Sequence, residues 1–258
     1  MTTYEFSLLH VEQADGVLWA TIDAPPINIM TGALFKELST LARTVATDDA
    51  VRAVVLQSAD PDFFIAHYDV TNILRFPVAG PAERKSELNG FHAMCELWRT
   101  MPKATIAKIA GRVGGGGAEL AASCDMRFGL LGRTVLNQME VPIGILPGGT
   151  GTQRLPHLVG RGRAMELVLG GVDLDAATAE RWGWLNRAFA TGAELDAYVD
   201  DLARRIASYP PQAVVNGKAA VLAADGDPTP GLIEEAYLFD QLVARPDARA
   251  AMERFLAA

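Results

Sequence analysis

The sequence predicts an α/β fold with a helical C-terminal part, and three observations carry that reading. Short apolar runs rich in β-branched residues alternate with amphipathic helical stretches through the middle of the 258 residues. Four consecutive glycines, Gly114 to Gly117, join one such run to the helix after it. From Arg161 onward the periodicity is mainly helical. The chain therefore divides into a core over residues 1–190, which holds the sheet-forming segments, and a helical region over 191–258. That region is expected to pack on the core or on a neighbouring subunit rather than stand alone.

Taken in order, Phe6 to Val11 and Val17 to Ile22 read as two strands of a hairpin turning at Asp15-Gly16. Pro25-Pro26 stops the second. Thr31 caps a helix with apolar positions Leu34, Phe35, Leu38, Leu41 and Val45, ending at Asp48-Asp49. Val51 to Ser58 is an unbroken apolar run, as in a strand buried on both faces. After a turn at 59–62 comes Phe63 to Val70, then a helix over 81–100 with Leu88, Phe91, Cys95 and Trp98 on one side. Thr105 to Ala110 and Met126 to Leu130 are further strands, with the glycine run and its helix between them. Residues 140–155, EVPIGILPGGTGTQRL, read as a Gly/Pro-rich loop long enough to carry a function. Helices follow over 161–170, 176–182, 193–208, 211–224 and 231–257.

Composition narrows the function. A net charge of -8 argues against nucleic acid, whose phosphates want a basic face. No apolar stretch approaches the roughly 18 residues a membrane span needs. The N-terminal MTTYEFSLLHVEQ lacks a basic segment before an apolar one, so no signal peptide and a cytoplasmic location are expected. Cys95 and Cys124 read as buried free thiols. The histidines His10, His67, His92 and His157 have no metal-ligand spacing and face no G-x-S-x-G nucleophile, so no metal is expected.

The chemistry concentrates at the glycine run. A phosphate-binding loop would end in Gly-Lys-Ser/Thr, whereas this run ends in Ala118-Glu119, and no register supplies G-x-G-x-x-G. A close-packed turn and a set of backbone donors for an oxyanion both remain open. Glu119 is either a solvated acid complementing a helix dipole or a catalytic carboxylate. Glu140, between Met139 and Val141-Pro142, is a carboxylate in apolar company, whose pKa rises if it is buried. Two such carboxylates, each beside a Gly-rich element, form a candidate acid/base pair.

These residues resemble the crotonase superfamily, the enoyl-CoA hydratase/isomerase family. The resemblance rests on Pro26-Ile27-Asn28, the turn Phe63 to Val70, GGGGAELAASCD at 114–125, EVPIGILPGGTGTQRLPHLVG at 140–160 and Gly183-Trp184-Leu185-Asn186. It implies a spiral of ββα units with a C-terminal helical trimerisation region, in trimers or hexamers. It implies an acyl-CoA thioester substrate and no separate cofactor, coenzyme A being part of the substrate. The thioester oxygen would accept the backbone N–H groups of Tyr68 and Gly116, with Glu119 acting on water and Glu140 on the Cα proton. Phe64, Ala66, His67, Asp69, Val70, Gly115, Val141 and Gly148 would line the substrate site. Ile73, Leu74, Met94 and Trp98 are further apolar candidates for the acyl pocket.

Hydration of a 2-enoyl-CoA is the activity so implied. A double-bond isomerase using mainly Glu140 is the alternative, ahead of a non-catalytic CoA- or RNA-binding relative. One departure stands out: typical hydratases read Ala-Gly-Ala-Asp where this chain has Ala66-His67-Tyr68-Asp69. Were positive φ required there, His67 would be strained, and Tyr68 adds bulk beside the thioester.

Overall fold

The computed structural model describes residues 4–78 and 80–258. The N-terminal hairpin is present, but its first strand is β1 (Leu9–Ala14), pairing antiparallel with β2 (Val17–Ile22). The predicted start at Phe6 moves because the N–H groups of Ser7 and Leu8 donate to Glu37 instead of to a strand. Helix α1 (Gly32–Thr47) starts where Thr31 accepts from the Leu34 N–H, and it buries Leu34, Leu38, Leu41 and Val45.

Three consecutive units then repeat one plan. In each, a longer strand joins a six-stranded sheet, a shorter one joins a four-stranded sheet, and a helical segment follows. The longer strands are β3 (Ala53–Ser58), β5 (Ala104–Ile109) and β7 (Met126–Leu130), mutually parallel. The shorter ones are β4 (Phe63–Ile65), β6 (Arg112–Gly114) and β8 (Val135–Asn137), also parallel. The helical segments are α2 (Val70–Ile73) with α3 (Gly90–Thr100), then α4 (Gly116–Ser123), then a single 3-10 turn (Val141–Ile143) with α5 (Gly151–Val159). This is the expected ββα spiral. The unbroken apolar run of β3 has a simple cause: Val54 and Leu56 face the main core, whereas Ala53 and Val55 face a second one.

Helix α6 (Arg161–Gly170), β9 (Leu174–Asp175), α7 (Ala176–Trp182) and β10 (Arg187–Phe189) complete the sheets, which end close to the predicted residue 190. Helix α8 (Gly192–Ala207) opens with a capping box of Thr191 and Glu194 and supplies Leu195, Val199 and Ala203 to the second core. Helices α9 (Pro211–Leu222), α10 (Thr229–Val243) and α11 (Pro246–Ala257) follow. The last two return to the spiral, where Val243 and Met252 pack with Val70, Ile73, Ile143 and Ile145. No helix among the described residues is long and apolar enough to cross a membrane.

Three predicted elements change. The helix expected over 81–100 begins only at Gly90, where Asn89 accepts from the His92 N–H, because Glu83-Arg84-Lys85 breaks the apolar periodicity before it. The loop expected over 140–155 already becomes helix at Gly151, whose glycines hide the helical signal. The helix expected over 231–257 splits into α10 and α11 at Pro246, whose missing N–H and ring exclude a helix interior.

Candidate active site

Strand β6 delivers the glycine run into α4. Gly115 takes φ 47° and ψ −127°, a conformation that excludes side-chain-bearing residues. A Cβ on Gly117 would stand 2.6 Å from the Ile65 Cβ, so only glycine lets α4 lie this close to β4. Gly116 is the first residue of α4, and its N–H therefore has no acceptor within the helix.

The opposing turn is positioned by Asn28. Its Oδ1 accepts from the Ala24 N–H, and its Nδ2 donates to the carbonyls of Phe63 and Phe64 and to Ser58 Oγ. Past β4, Met30 bonds to the His67 carbonyl (2.8 Å) and accepts from the Asp69 N–H (3.1 Å). Amides alternate in direction along an extended chain, so the Tyr68 N–H turns away from Met30, toward the side where β6 and Gly116 lie. A Cβ on Gly116 would stand 3.2 Å from the Tyr68 Cβ. Neither His67 nor Tyr68 has positive φ, so the substituted turn carries no left-handed strain.

The two candidate carboxyls are both buried. Glu119 accepts at one oxygen, Oε1, from the N–H groups of Gly149 and Gly151, each at 2.8 Å. Burial, then repulsion from Glu140 and Glu235, holds its pKa well above the usual carboxylate range against those two donors. Glu140 leads into the 3-10 turn, and its carbonyl accepts from Ile143 and Ile145. With the Gln138 amide oriented to satisfy both of its ends, that amide donates to Glu140 Oε2 at 3.0 Å. Burial pushes the Glu140 pKa up to about 8, its own backbone N–H opposes the rise and Glu235 adds to it. Two mutually repelling carboxyls in one dry site favour holding one proton between them. The paired amides at Oε1 favour Glu119 as the ionised member.

Glu119 and Glu140 face a cleft of about 1110 Å³ together with Tyr68, Gly116 and Gly148. Phe35, Phe76, Phe91 and Phe239 make much of its wall apolar. Phe91 stacks on Phe35 and meets the Tyr68 ring edge-on, each with centroids 5.8 Å apart. The Tyr68 hydroxyl accepts from Asn72 Nδ2 at 2.7 Å. Segment 80–89 forms the mouth, tied to α10 by Arg84–Glu234 and Lys85–Asp240 ion pairs.

The remaining predicted residues lie around this cleft rather than on its wall. Phe64 is wholly buried in the core, and the Ala66 carbonyl would stand 2.4 Å from a Cβ on Gly114. Gly115 lies behind Gly116, between His67 and Glu140 Oε1. His67 donates from Nδ1 to the Tyr68 carbonyl and packs against Phe255. Asp69 caps α2 by accepting from the Thr71 N–H, Val70 is the buried first residue of α2, and Val141 sits in the 3-10 turn. Of the acyl-pocket candidates, Ile73 reaches the wall, whereas Met94 and Trp98 are core.

Sequence reasoning missed Glu235 and His92. Both side chains are wholly buried, and Glu235 Oε1 meets His92 Nε2 at 2.9 Å. Glu235 also accepts from the N–H groups of Thr150 (2.7 Å) and Thr152 (3.0 Å) and from the Thr152 hydroxyl. A signal was available: Leu232, Glu235, Phe239 and Val243 share one helical stripe, which places an acid on an otherwise apolar face. Thr150, between the two grips, has φ 112°, an outlier for a β-branched residue that costs about 1–3 kcal/mol.

Comparison with known proteins agrees with this geometry. The family model described as Enoyl-CoA hydratase/isomerase matches residues 12–257. A Rhizobium meliloti protein named probable enoyl-CoA hydratase is 31% identical over 258 residues, covering 99% of this chain and 96% of its own. The Fatty acid oxidation complex subunit alpha of Shewanella baltica (strain OS155) is 33% identical over 175 residues, 67% of this chain, and the match spans only 24% of that much longer relative. A crystal structure named as that of a putative enoyl-CoA hydratase from Streptomyces avermitilis superposes with a TM-score of 0.88 at 38% identity, covering 98% of this chain and 92% of that one. The spiral of ββα units is thus the crotonase fold, and the chain belongs to the enoyl-CoA hydratase/isomerase family.

Proposed function

We propose that this protein is an enoyl-CoA hydratase, adding water reversibly across the 2,3 double bond of an enoyl-CoA thioester. The observation that carries the reading is the pair of buried carboxyls, Glu119 and Glu140, facing one cleft beside the Tyr68 and Gly116 amides. The thioester oxygen accepts those two N–H groups. Ionised Glu119 removes a proton from water as the water oxygen bonds to Cβ. The π electrons move toward the thioester, and the negative charge grows on the oxygen between the two amides. Each such donor is worth about 3 kcal/mol to that charge. Glu140, protonated by virtue of its raised pKa, then gives its proton to Cα, and the carbonyl re-forms. Coenzyme A enters as part of the substrate and leaves as part of the product, so no other cofactor is invoked.

An isomerase reading needs only one of the carboxyls to move a proton between carbons. The independent amide support of Glu119 favours hydration, because a water-activating base benefits from being held ionised. A homo-oligomer is part of the proposal. Helix α9 buries none of its residues; Val221 within it and Tyr209 just before it are exposed.

The test is a panel of 2-enoyl-CoA thioesters of varied length and branching, followed by loss of the enoyl-thioester absorbance. Water addition to at least one member is expected. Inactivity across the panel with CoA binding retained would overturn the assignment.

A further inference from the structure

A third buried carboxyl stands behind the two that face the cleft. Every group on Glu235 is a donor: His92 Nε2, the Thr150 and Thr152 amides and the Thr152 hydroxyl. Oε1 takes His92 Nε2 and the Thr150 amide, and Oε2 takes the Thr152 amide and hydroxyl, so both oxygens are fully engaged. His92 Nδ1 is buried without a hydrogen-bond partner, which assigns the ring proton to Nε2, where it points at Glu235. The same turn is also held by Glu119, through Gly149 and Gly151. Alternate amides of one segment therefore go to alternate carboxylates. The segment also contains the strained φ at Thr150, whose N–H is bonded to Glu235.

We infer that Glu235, oriented by His92, is a positioning residue: it fixes the Gly149–Thr152 turn and so aims the two amides that hold the Glu119 carboxylate. The kinetic consequence rests on the hydratase reading, whereas the structural one does not. Glu235 does not itself line the cleft, so it acts through the turn that holds Glu119 and through its charge. That charge also repels Glu119 and Glu140. The neighbouring titratable groups are Cys95 and Glu96 on α3, Arg154 on α5, and His67 beside Glu140. Arg154 is paired with Glu96.

The experiment compares the full chain with Glu235→Gln and His92→Phe by amide hydrogen exchange over residues 149–152 and by the pH profile of hydration. Glu235→Gln is expected to speed exchange in that turn and to lower kcat about tenfold to a hundredfold with little change in KM. Removing an anion also moves the high-pH limb of kcat to lower pH. His92→Phe, which leaves both threonine amides on Glu235, gives the same changes in smaller measure. Exchange and pH limb both unchanged in folded variants would overturn the inference. Should Glu235→Gln fail to fold, His92→Phe decides by the same two readouts. Should the wild type hydrate nothing, the hydratase reading falls, and the exchange measurement still decides whether Glu235 fixes the turn.

Discussion

Glu119 and Glu235 grip alternate amides of one four-residue turn, Glu119 those of Gly149 and Gly151 and Glu235 those of Thr150 and Thr152. Gly151 and Thr152 are also the first two residues of α5, so two carboxylates stand at the start of that helix, where its dipole favours negative charge. This arrangement lets a buried acid remain available as a base.

That geometry makes Gly149 intolerant of any side chain. A Cβ there would stand 2.6 Å from Glu119 Oε2 and 2.4 Å from the Phe91 ring. Gly149→Ala is expected to lower kcat at least about a hundredfold. Steady-state kinetics with a circular-dichroism check of folding would show it.

In the proposed hydration Glu140 supplies a proton, so its protonated form would be the active one. With its pKa near 8, kcat for hydration is expected to fall as pH rises through about 8, and to fall on the acid side where Glu119, whose pKa is also raised, takes up a proton. Dehydration of the 3-hydroxyacyl product uses the same singly protonated pair with the proton on Glu119, so its kcat/KM should follow the same profile as that of hydration. A pH–rate profile measured in both directions checks the sign.

The same shift bears on stability. Glu140 is raised on folding from 4.5 to about 8, so the folded state holds its proton more tightly. Its contribution is complete below about pH 4.5 and is lost as pH rises through 8. Glu140→Gln should therefore flatten the fall in Tm between pH 5 and 8, by roughly 2–4 °C for each kcal/mol removed. Thermal melts across that range provide the comparison.

Asn28→Ala removes the buried amide that joins the Ala24 turn to the Phe63 and Phe64 carbonyls, at a site with φ 51°. A loss of about 2–4 kcal/mol is expected from the orphaned partners and the backbone strain. Urea denaturation measures it, and the turn carrying Tyr68 should loosen with it.

In the proposed mechanism Tyr68 acts through its N–H, while its ring occupies the cleft against Phe91. Tyr68→Ala is expected to keep activity on the shortest enoyl-CoA within about tenfold and to improve kcat/KM for bulkier acyl groups, since a methylene is worth about 1–3 kcal/mol in such a pocket. His67→Gly should give no gain in stability, because the backbone it would relax is not left-handed.

How much of this could be read from the sequence follows from how local each feature is. The glycine run, Glu119 and Glu140 were legible because their chemistry is written in adjacent residues. The repeated strand–helix alternation likewise showed the α/β core. Glu235 was not legible: its neighbour Glu234 is a solvated acid paired with Arg84, and only the stripe of Leu232, Phe239 and Val243 separates the two. The start of α5 was hidden for a related reason. Its first amides are satisfied by side chains far away in sequence, and Thr150 makes no side-chain cap. The helix expected over 81–100 rested on Leu88, Phe91, Cys95 and Trp98, of which only Leu88 falls in the loop before Gly90.

The most direct test of the central claim is product analysis in ¹⁸O-labelled water, with the wild type, Glu119→Gln and Glu140→Gln acting on a short 2-enoyl-CoA. The account predicts a 3-hydroxyacyl-CoA carrying one ¹⁸O at Cβ, formed at least about a hundredfold more slowly by either variant. A shifted double bond with no ¹⁸O incorporated, or full activity in Glu119→Gln, would contradict it.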